Sequence, residues 1–237
     1  MHPPRRPVLL LSLRYRCVAP PRSVRAGELS VRLDDDMAMN QPLITVYFDY
    51  ASPFAYIASE VLPEFAARHG VALQWRPIEL GALSNYAHGL PYSPVKSAYV
   101  LVDAPRTAQF HRVPIQPPKL FPVQSGLALR LALVAQAYGH FDQFHHAVFR
   151  AAWRDGQDIG SEPVLLACTA QADAAAAQWL QEAQRSDASE KLATLTAEAE
   201  AAGVFGVPSM LLDGELFWGV DSLPVLAWRL KQQEAAI

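Results

Sequence analysis

A chain of 237 residues that is 51% apolar and 18% charged is long enough to bury one large core, or a smaller domain carrying a big insertion. Its 20 basic and 23 acidic residues leave a formal charge of -3, which speaks against a polyanion-binding surface and favours a small-molecule partner over nucleic acid. Cys17 and Cys168 are isolated in sequence, which excludes a local Cys-x-x-Cys pair, argues against a disulfide framework and points to a reducing compartment.

Residues 1–42 stand apart from the rest. Up to Ala26 they hold six arginines, five prolines and no acid, and the apolar run Val8 to Leu11 is too short to span a membrane. A disordered leader is expected. Its prolines oppose an amphipathic targeting helix, and no small-residue cleavage site follows a proper apolar segment. Met37 and Met39 stand just ahead of the first strand-like segment, so the leader reads as an over-extended reading frame with the natural start there.

Leu43 to Asp49 (LITVYFD) is β-branched and aromatic with no turn residue, the pattern of a buried strand. Ser52 then suits a helix N-cap and Pro53 the first helical position, with Phe54, Ile57, Val61 and Phe65 at helical spacing. Gly70 is the expected end of that helix, Pro63 is expected to kink it, and Val71 to Ile78 reads as a second strand, parallel to the first. From Glu79 to about Ala202 helical patterns replace strands: Pro94–Arg112, Gln124–Tyr138, Phe141–Arg154, Glu162–Gln171, Ala174–Gln184 and Ser189–Ala202. Pro114 to Pro122, dense in proline, is an irregular connection. Ser209–Leu212 and Leu216–Val220 flank Asp213-Gly214, a hairpin signal, and Asp221 is placed to cap a last helix over Ser222–Gln233.

Two places in this order carry chemistry. At Asp49-Tyr50-Ala51-Ser52-Pro53-Phe54 a hydroxyl sits at the mouth of a helix, where free N–H groups and the helix dipole favour an anion such as a thiolate. The plainer reading is a capping serine and nothing more. The second place is Gly203-Val204-Phe205-Gly206-Val207-Pro208-Ser209, a glycine-flanked turn into a strand. A cis Val207–Pro208 bond there would expose the N–H and C=O of Val207 to a peptide-like ligand, whereas a trans proline would simply open the strand; both stay open.

A thioredoxin-like fold sets its helix-mouth residue beside the proline before its third strand, and six ordered motifs give that arrangement a specific likeness. Tyr47 to Tyr56 (YFDYASPFAY), Lys96-x-x-Tyr99-x-x-x-Asp103-x-x-Arg106, Phe121-Pro122, Ala147-Val148-Phe149-Arg150-x-x-Trp153, Gly203 to Pro208 and Phe217-Trp218-Gly219-Val220-Asp221 resemble successive motifs of the 2-hydroxychromene-2-carboxylate isomerases. Kappa-class glutathione transferases share much of the pattern. The resemblance implies an α/β, thioredoxin-like fold with a large all-helical insertion: a thioredoxin-like domain from 43–78 and 203–237, and a helical insertion over 79–202. It also implies a cytoplasmic homodimer that uses glutathione to isomerise an aromatic-degradation intermediate, cis to trans, by reversible thiolate addition.

Under that resemblance Ser52 holds the glutathione sulfur through its hydroxyl, and Val207, Pro208, Val220 and Asp221 form the cofactor-binding set. Val207 pairs with the cysteinyl part and Asp221 holds the γ-glutamyl amine. Lys96 and Tyr99 fall near an aromatic or electrophilic substrate, though Lys96 reads equally as a solvated helix lysine. The chain departs from the family at Ser84-Asn85-Tyr86-Ala87-His88-Gly89, at Leu195 and at Ser222, where the family's arginine follows Asp221. His88, His111, His140, His145 and His146 form no metal spacing, so no metal is expected, nor a membrane or nucleic-acid partner. Two alternatives remain: a kappa-class-like glutathione transferase, and a redox-inert thioredoxin-fold binding module. With Ser52 and Ala55 at the helix mouth, thiol-disulfide exchange is disfavoured.

Overall fold

The computed structural model describes residues 41–89, 93–173 and 176–234. Residues 1–40 of the leader, with Cys17 and the alternative starts Met37 and Met39, lie outside the described residues. Strand β1 (Leu43–Phe48) enters the centre of a four-stranded sheet of order β2-β1-β3-β4. Its side chains Ile44, Val46 and Phe48, spaced by two, are fully buried, as the pleat requires of a strand with one face in a core.

Helix α1 (Pro53–His69) follows β1 and ends on Gly70, whose φ of 62° is the left-handed conformation that glycine adopts at lowest cost. The helix returns the chain to β2 (Ala72–Pro77), which pairs parallel with β1 from Leu43↔Ala72 to Phe48↔Pro77. At the other end of the sequence, β3 (Ser209–Leu212) runs antiparallel to β1 and β4 (Glu215–Trp218) antiparallel to β3. Asp213 and Gly214 join the last two strands with φ values of 49° and 82°, the pair of positive angles that a two-residue hairpin of matching twist demands.

Between β2 and β3 the described chain is helical: α2 (Pro94–His111), α3 (Gly126–Ala137), α4 (Phe141–Trp153), α5 (Glu162–Ala172), α6 (Ala177–Ala183) and α7 (Ser186–Ala201). Short 3-10 turns at Leu80–Ala82 and Ser84–Tyr86 lead into this region. Helix α3 is apolar nearly all round and lies inside, touching α4, α6, α7 and β2. Helix α4 buries Phe144, Val148 and Phe149 and packs on α1. There Phe149 meets Phe48, Tyr50 and Tyr56 at ring separations of 6.0, 4.7 and 6.1 Å. Helix α2 buries only Ala104 and Ala108 and packs on α1.

The final stretch departs from the sequence reading. Strand β4 stops at Trp218 because Gly219 takes a φ of 84°, and Val220–Ser222 forms a 3-10 turn ahead of α8 (Leu223–Glu234). Val220 therefore belongs to a turn and not a strand, and Asp221 sits inside that turn, ahead of the helix it was expected to cap. Helix α7 begins at Ser186, a turn earlier than its apolar spacing indicates. Among the described residues no helix is long and apolar enough to cross a membrane.

Candidate active site at the mouth of the first helix

The turn that carries Ser52 is clamped from below by one carboxylate. Asp49 is buried, and its Oδ1 accepts from the Ala51 N–H at 2.9 Å while its Oδ2 accepts from the Leu80 N–H at 2.8 Å. Burial raises the pKa of this carboxyl; the hydrogen bonds from Ser125 and from the two backbone amides oppose that shift without cancelling it. The Asp49 carbonyl takes the Ser52 N–H at 3.1 Å, closing the turn. The adjoining Tyr50 is fixed from the other side, its carbonyl accepting from the Trp153 indole at 2.8 Å.

Ser52 has the extended backbone of an N-cap (φ -100°, ψ 121°), and its Oγ accepts from the Ala55 N–H at 3.2 Å. The same hydroxyl donates to the Val207 carbonyl at 3.3 Å, across 155 positions of sequence. No acidic residue occupies the first turn of α1, so nothing there offsets the positive end of the helix dipole. Pro53 has no N–H, and among the described residues the Phe54 N–H meets no backbone or side-chain acceptor. The mouth therefore offers a hydroxyl, an unpaired amide and a favourable field to an anion.

The facing loop is equally defined. The Val207–Pro208 peptide is cis. The Val207 N–H has no hydrogen-bond partner among the described residues, although Val207 is only 7% exposed. Ser52 is 6% exposed, so the pair forms a narrow, almost closed contact in which the Val207 carbonyl, expected to stand open, is already taken by Ser52. Pro208 offers its carbonyl to the Gly219 N–H at 2.9 Å, which ties the loop to the 3-10 turn holding Val220 and Asp221. That turn packs on α1. Val220 is buried, whereas Asp221 is exposed, and no hydrogen bond or ion pair among the described residues takes up its carboxylate. A Cβ on Gly219 would collide with Asp221 Oδ1, so the glycine makes room for the carboxylate to fold back over the turn.

Ser52, Val207, Pro208, Val220 and Asp221 are thus gathered around the start of α1. Lys96 and Tyr99 are not joined to them by any hydrogen bond between described residues. They lie exposed near the start of α2, and the Tyr99 hydroxyl donates to Asp103 Oδ1 at 3.1 Å, within an Asp103–Arg106 pair. Asp49 escaped the sequence reading, although an aspartate two residues before an amide in a tight turn is the signature of a side chain closing an Asx turn. Asn85 escaped it too: its amide donates to the Phe205 carbonyl at 2.9 Å, a tether visible only once residues 120 positions apart meet.

Two cavities lie elsewhere. One, of about 370 Å³, opens between α4 and α5, but its arginines are engaged, Arg150 by Glu60 at 2.7 and 2.8 Å and Arg154 by Asp155 at 2.8 Å. Desolvation acts to raise the Glu60 pKa, yet the neighbouring His146, 3.8 Å away, and the two hydrogen bonds from Arg150 outweigh it and bring it down to about 2. The other, of about 230 Å³, is bordered by Trp75, His145 and Asp142. Neither reaches Ser52. Cys168, buried, has its thiol pushed up to about 11 by desolvation and stays protonated at neutral pH.

A parallel β-α-β unit continued by an antiparallel hairpin, with a helix mouth facing a cis-proline loop, defines the thioredoxin-fold class. The chain belongs to the DSBA-like thioredoxin domain family, whose model matches residues 43–231, and within it to the 2-hydroxychromene-2-carboxylate isomerases. It is 31% identical over 188 residues to the 2-hydroxychromene-2-carboxylate isomerase of Sphingobium xenophagum, covering 77% of this chain and 95% of that one. A solved 2-hydroxychromene-2-carboxylate isomerase superposes with a TM-score of 0.72 at 26% identity, over 82% of this chain and 98% of the other. Similarity to glutathione S-transferase kappa 1 of Rattus norvegicus is 25% over 207 residues, 81% of this chain and 92% of that one. The α/β thioredoxin-like fold with helices inserted between its halves is as the sequence motifs implied.

Proposed function

We propose that the protein is a glutathione-dependent cis-trans isomerase acting on an aromatic-degradation intermediate, with Ser52 steadying the glutathione thiolate. The observation that carries this reading is the Ser52 hydroxyl, held at the start of a helix whose first turn carries no acid and 3.3 Å from the Val207 carbonyl. Its residues fit a tripeptide. A thiolate is a stronger acceptor than a neutral carbonyl, since charge-assisted hydrogen bonds are roughly twice as strong as neutral ones. The Ser52 proton therefore turns from Val207 to the sulfur, while Oγ keeps the Ala55 N–H.

That turn frees the Val207 carbonyl just as the ligand arrives. The cysteinyl N–H of glutathione takes the Ser52 proton's place on the carbonyl, and its C=O meets the unpaired Val207 N–H, the pairing of an added strand. Pro208 holds the loop, Val220 packs beneath, and Asp221 accepts the γ-glutamyl ammonium. Lys96 and Tyr99 face the carboxylate end of the substrate. Chemically, the thiolate adds to the β-carbon of a conjugated carbonyl and the electron pair moves to the oxygen. The former double bond rotates as a single bond, and the reverse shift expels the thiolate, so glutathione is regenerated.

Similarity to kappa-class transferases supports a second reading, in which the adduct is released as a conjugate. Product analysis separates the two: catalytic glutathione supports isomerisation, and stoichiometric consumption overturns it. Failure to bind glutathione in calorimetry would leave the non-catalytic module. Ser52→Ala is expected to lower kcat about 100-fold while retaining glutathione binding, by analogy with removal of one donor from a developing anion; an unchanged rate at neutral pH would remove the serine from the mechanism. A cytoplasmic homodimer completes the proposal. Exposed Val95, Val102 and Phe110 on α2 support a contact between copies, and a monomer in sedimentation would refute it.

A further inference from the structure

Two large aromatic side chains stand in the open beside the cis-proline loop. Phe205 is 48% exposed and Trp218 is 42% exposed, with ring centroids 5.3 Å apart at 48°. Their backbones are held. The Phe205 carbonyl is anchored by Asn85, and Trp218 is paired opposite Ser209 in the β3–β4 ladder. The indole lies so close over Gly206 that a Cβ there would stand 2.9 Å from its Nε1. Phe205 is two residues from Val207, and the Trp218 indole N–H makes no hydrogen bond among the described residues. Exposed aromatic rings cost hydration free energy unless something covers them, and a pair fixed at this distance offers a planar guest one face and one edge.

We propose that Phe205 and Trp218 form a shelf that takes the planar, aryl-conjugated part of the electrophile, with the Trp218 N–H donating to an oxygen of that group. Phe205 and Trp218 then determine specificity for flat conjugated acids over aliphatic ones. Asn85 is a positioning residue that holds the shelf through the loop. This inference rests on the glutathione reading only for the identity of the reaction; the shelf itself is a binding site with its own readout.

The test is calorimetric binding of trans-cinnamate, a flat aryl-conjugated acid, and of hexanoate, with and without saturating glutathione, to the full chain and to its Phe205→Leu and Trp218→Phe variants. Phe205→Leu should weaken cinnamate about 5- to 10-fold and leave hexanoate and glutathione within about twofold. Trp218→Phe keeps a ring and loses the N–H, and should weaken cinnamate about 3- to 10-fold. The shelf is overturned by wild-type protein that binds no cinnamate, by variants that bind it unchanged, by equal losses for both acids, or by a loss confined to glutathione. A change in sedimentation without a change in cinnamate binding would assign the rings to contact between copies and also overturn it. Ring-dependent cinnamate binding in a protein that ignores glutathione would keep the shelf and sink the isomerase reading instead.

Discussion

The helix mouth at Ser52 and the aromatic core around His145 both bury polar atoms, but they do so in opposite ways. At the mouth, the hydroxyl and its carbonyl partner satisfy each other, and the unpaired groups are the backbone amides of Phe54 and Val207. In the core, His145 is 1% exposed and ringed by Phe48, Trp75, Phe141 and Phe149; Nδ1 shares a 3.3 Å hydrogen bond with the Tyr50 hydroxyl, and Nε2 has no partner among the described residues. The first arrangement can exchange partners without moving the backbone. The second cannot, so its polar atoms constrain stability and not turnover.

The largest expected effect that sharpens this contrast comes from Asp49, which supports the mouth from within the core. Asp49→Ala leaves the part-buried Ala51 and Leu80 amides without their acceptor and should cost about 2 to 3 kcal/mol, measured by urea unfolding. Because the Ser52 turn loosens with it, kcat should fall in the folded fraction as well; full activity in that fraction would show the clamp to be structural alone. Next comes Gly219→Ala. A φ of 84° with ψ of 157° is almost confined to glycine, so the variant should lose about 2 kcal/mol. It should also raise the glutathione KM, since the new Cβ displaces the Asp221 carboxylate; an unchanged KM would separate Asp221 from the ligand.

The smallest effect concerns pH. Desolvation, helped by the neighbouring His146, holds the His145 pKa well below 6.5 in the folded protein. The unfolded chain therefore binds a proton first as pH falls below 6.5, and stability that is complete above that value declines on acidification. His145→Phe should flatten this slope in the pH dependence of unfolding and leave kcat unchanged. A loss of turnover with no change in slope would reverse the contrast between mouth and core.

Local patterns made much of the frame readable. The strand LITVYF, the Ser52-Pro53 helix start, Gly70 at the helix end and the Asp213-Gly214 hairpin each follow from residues that act on their own neighbours. Val220 misled because a β-branched residue after Phe217 and Trp218 continues a strand pattern, while the positive φ of Gly219 ends it. The site was readable in its parts but not in its partnerships. That Ser52 would donate to Val207, or Asp49 accept from Leu80, depends on packing between segments 155 and 31 positions apart, which no local spacing encodes. His145 looked like one of several unremarkable histidines until four rings from β1, β2 and its own helix closed around it.

The proposed role of the α1 mouth and the Ser52 hydroxyl is electrostatic, to stabilise an ionised sulfur. Titrating the thiolate absorbance of bound glutathione in wild-type protein and in Ser52→Ala tests it directly. The bound thiol should titrate about one unit or more below the free value near 8.5 and return most of the way toward it in the variant. A bound thiol that titrates like the free tripeptide, or identically in the two proteins, would contradict it.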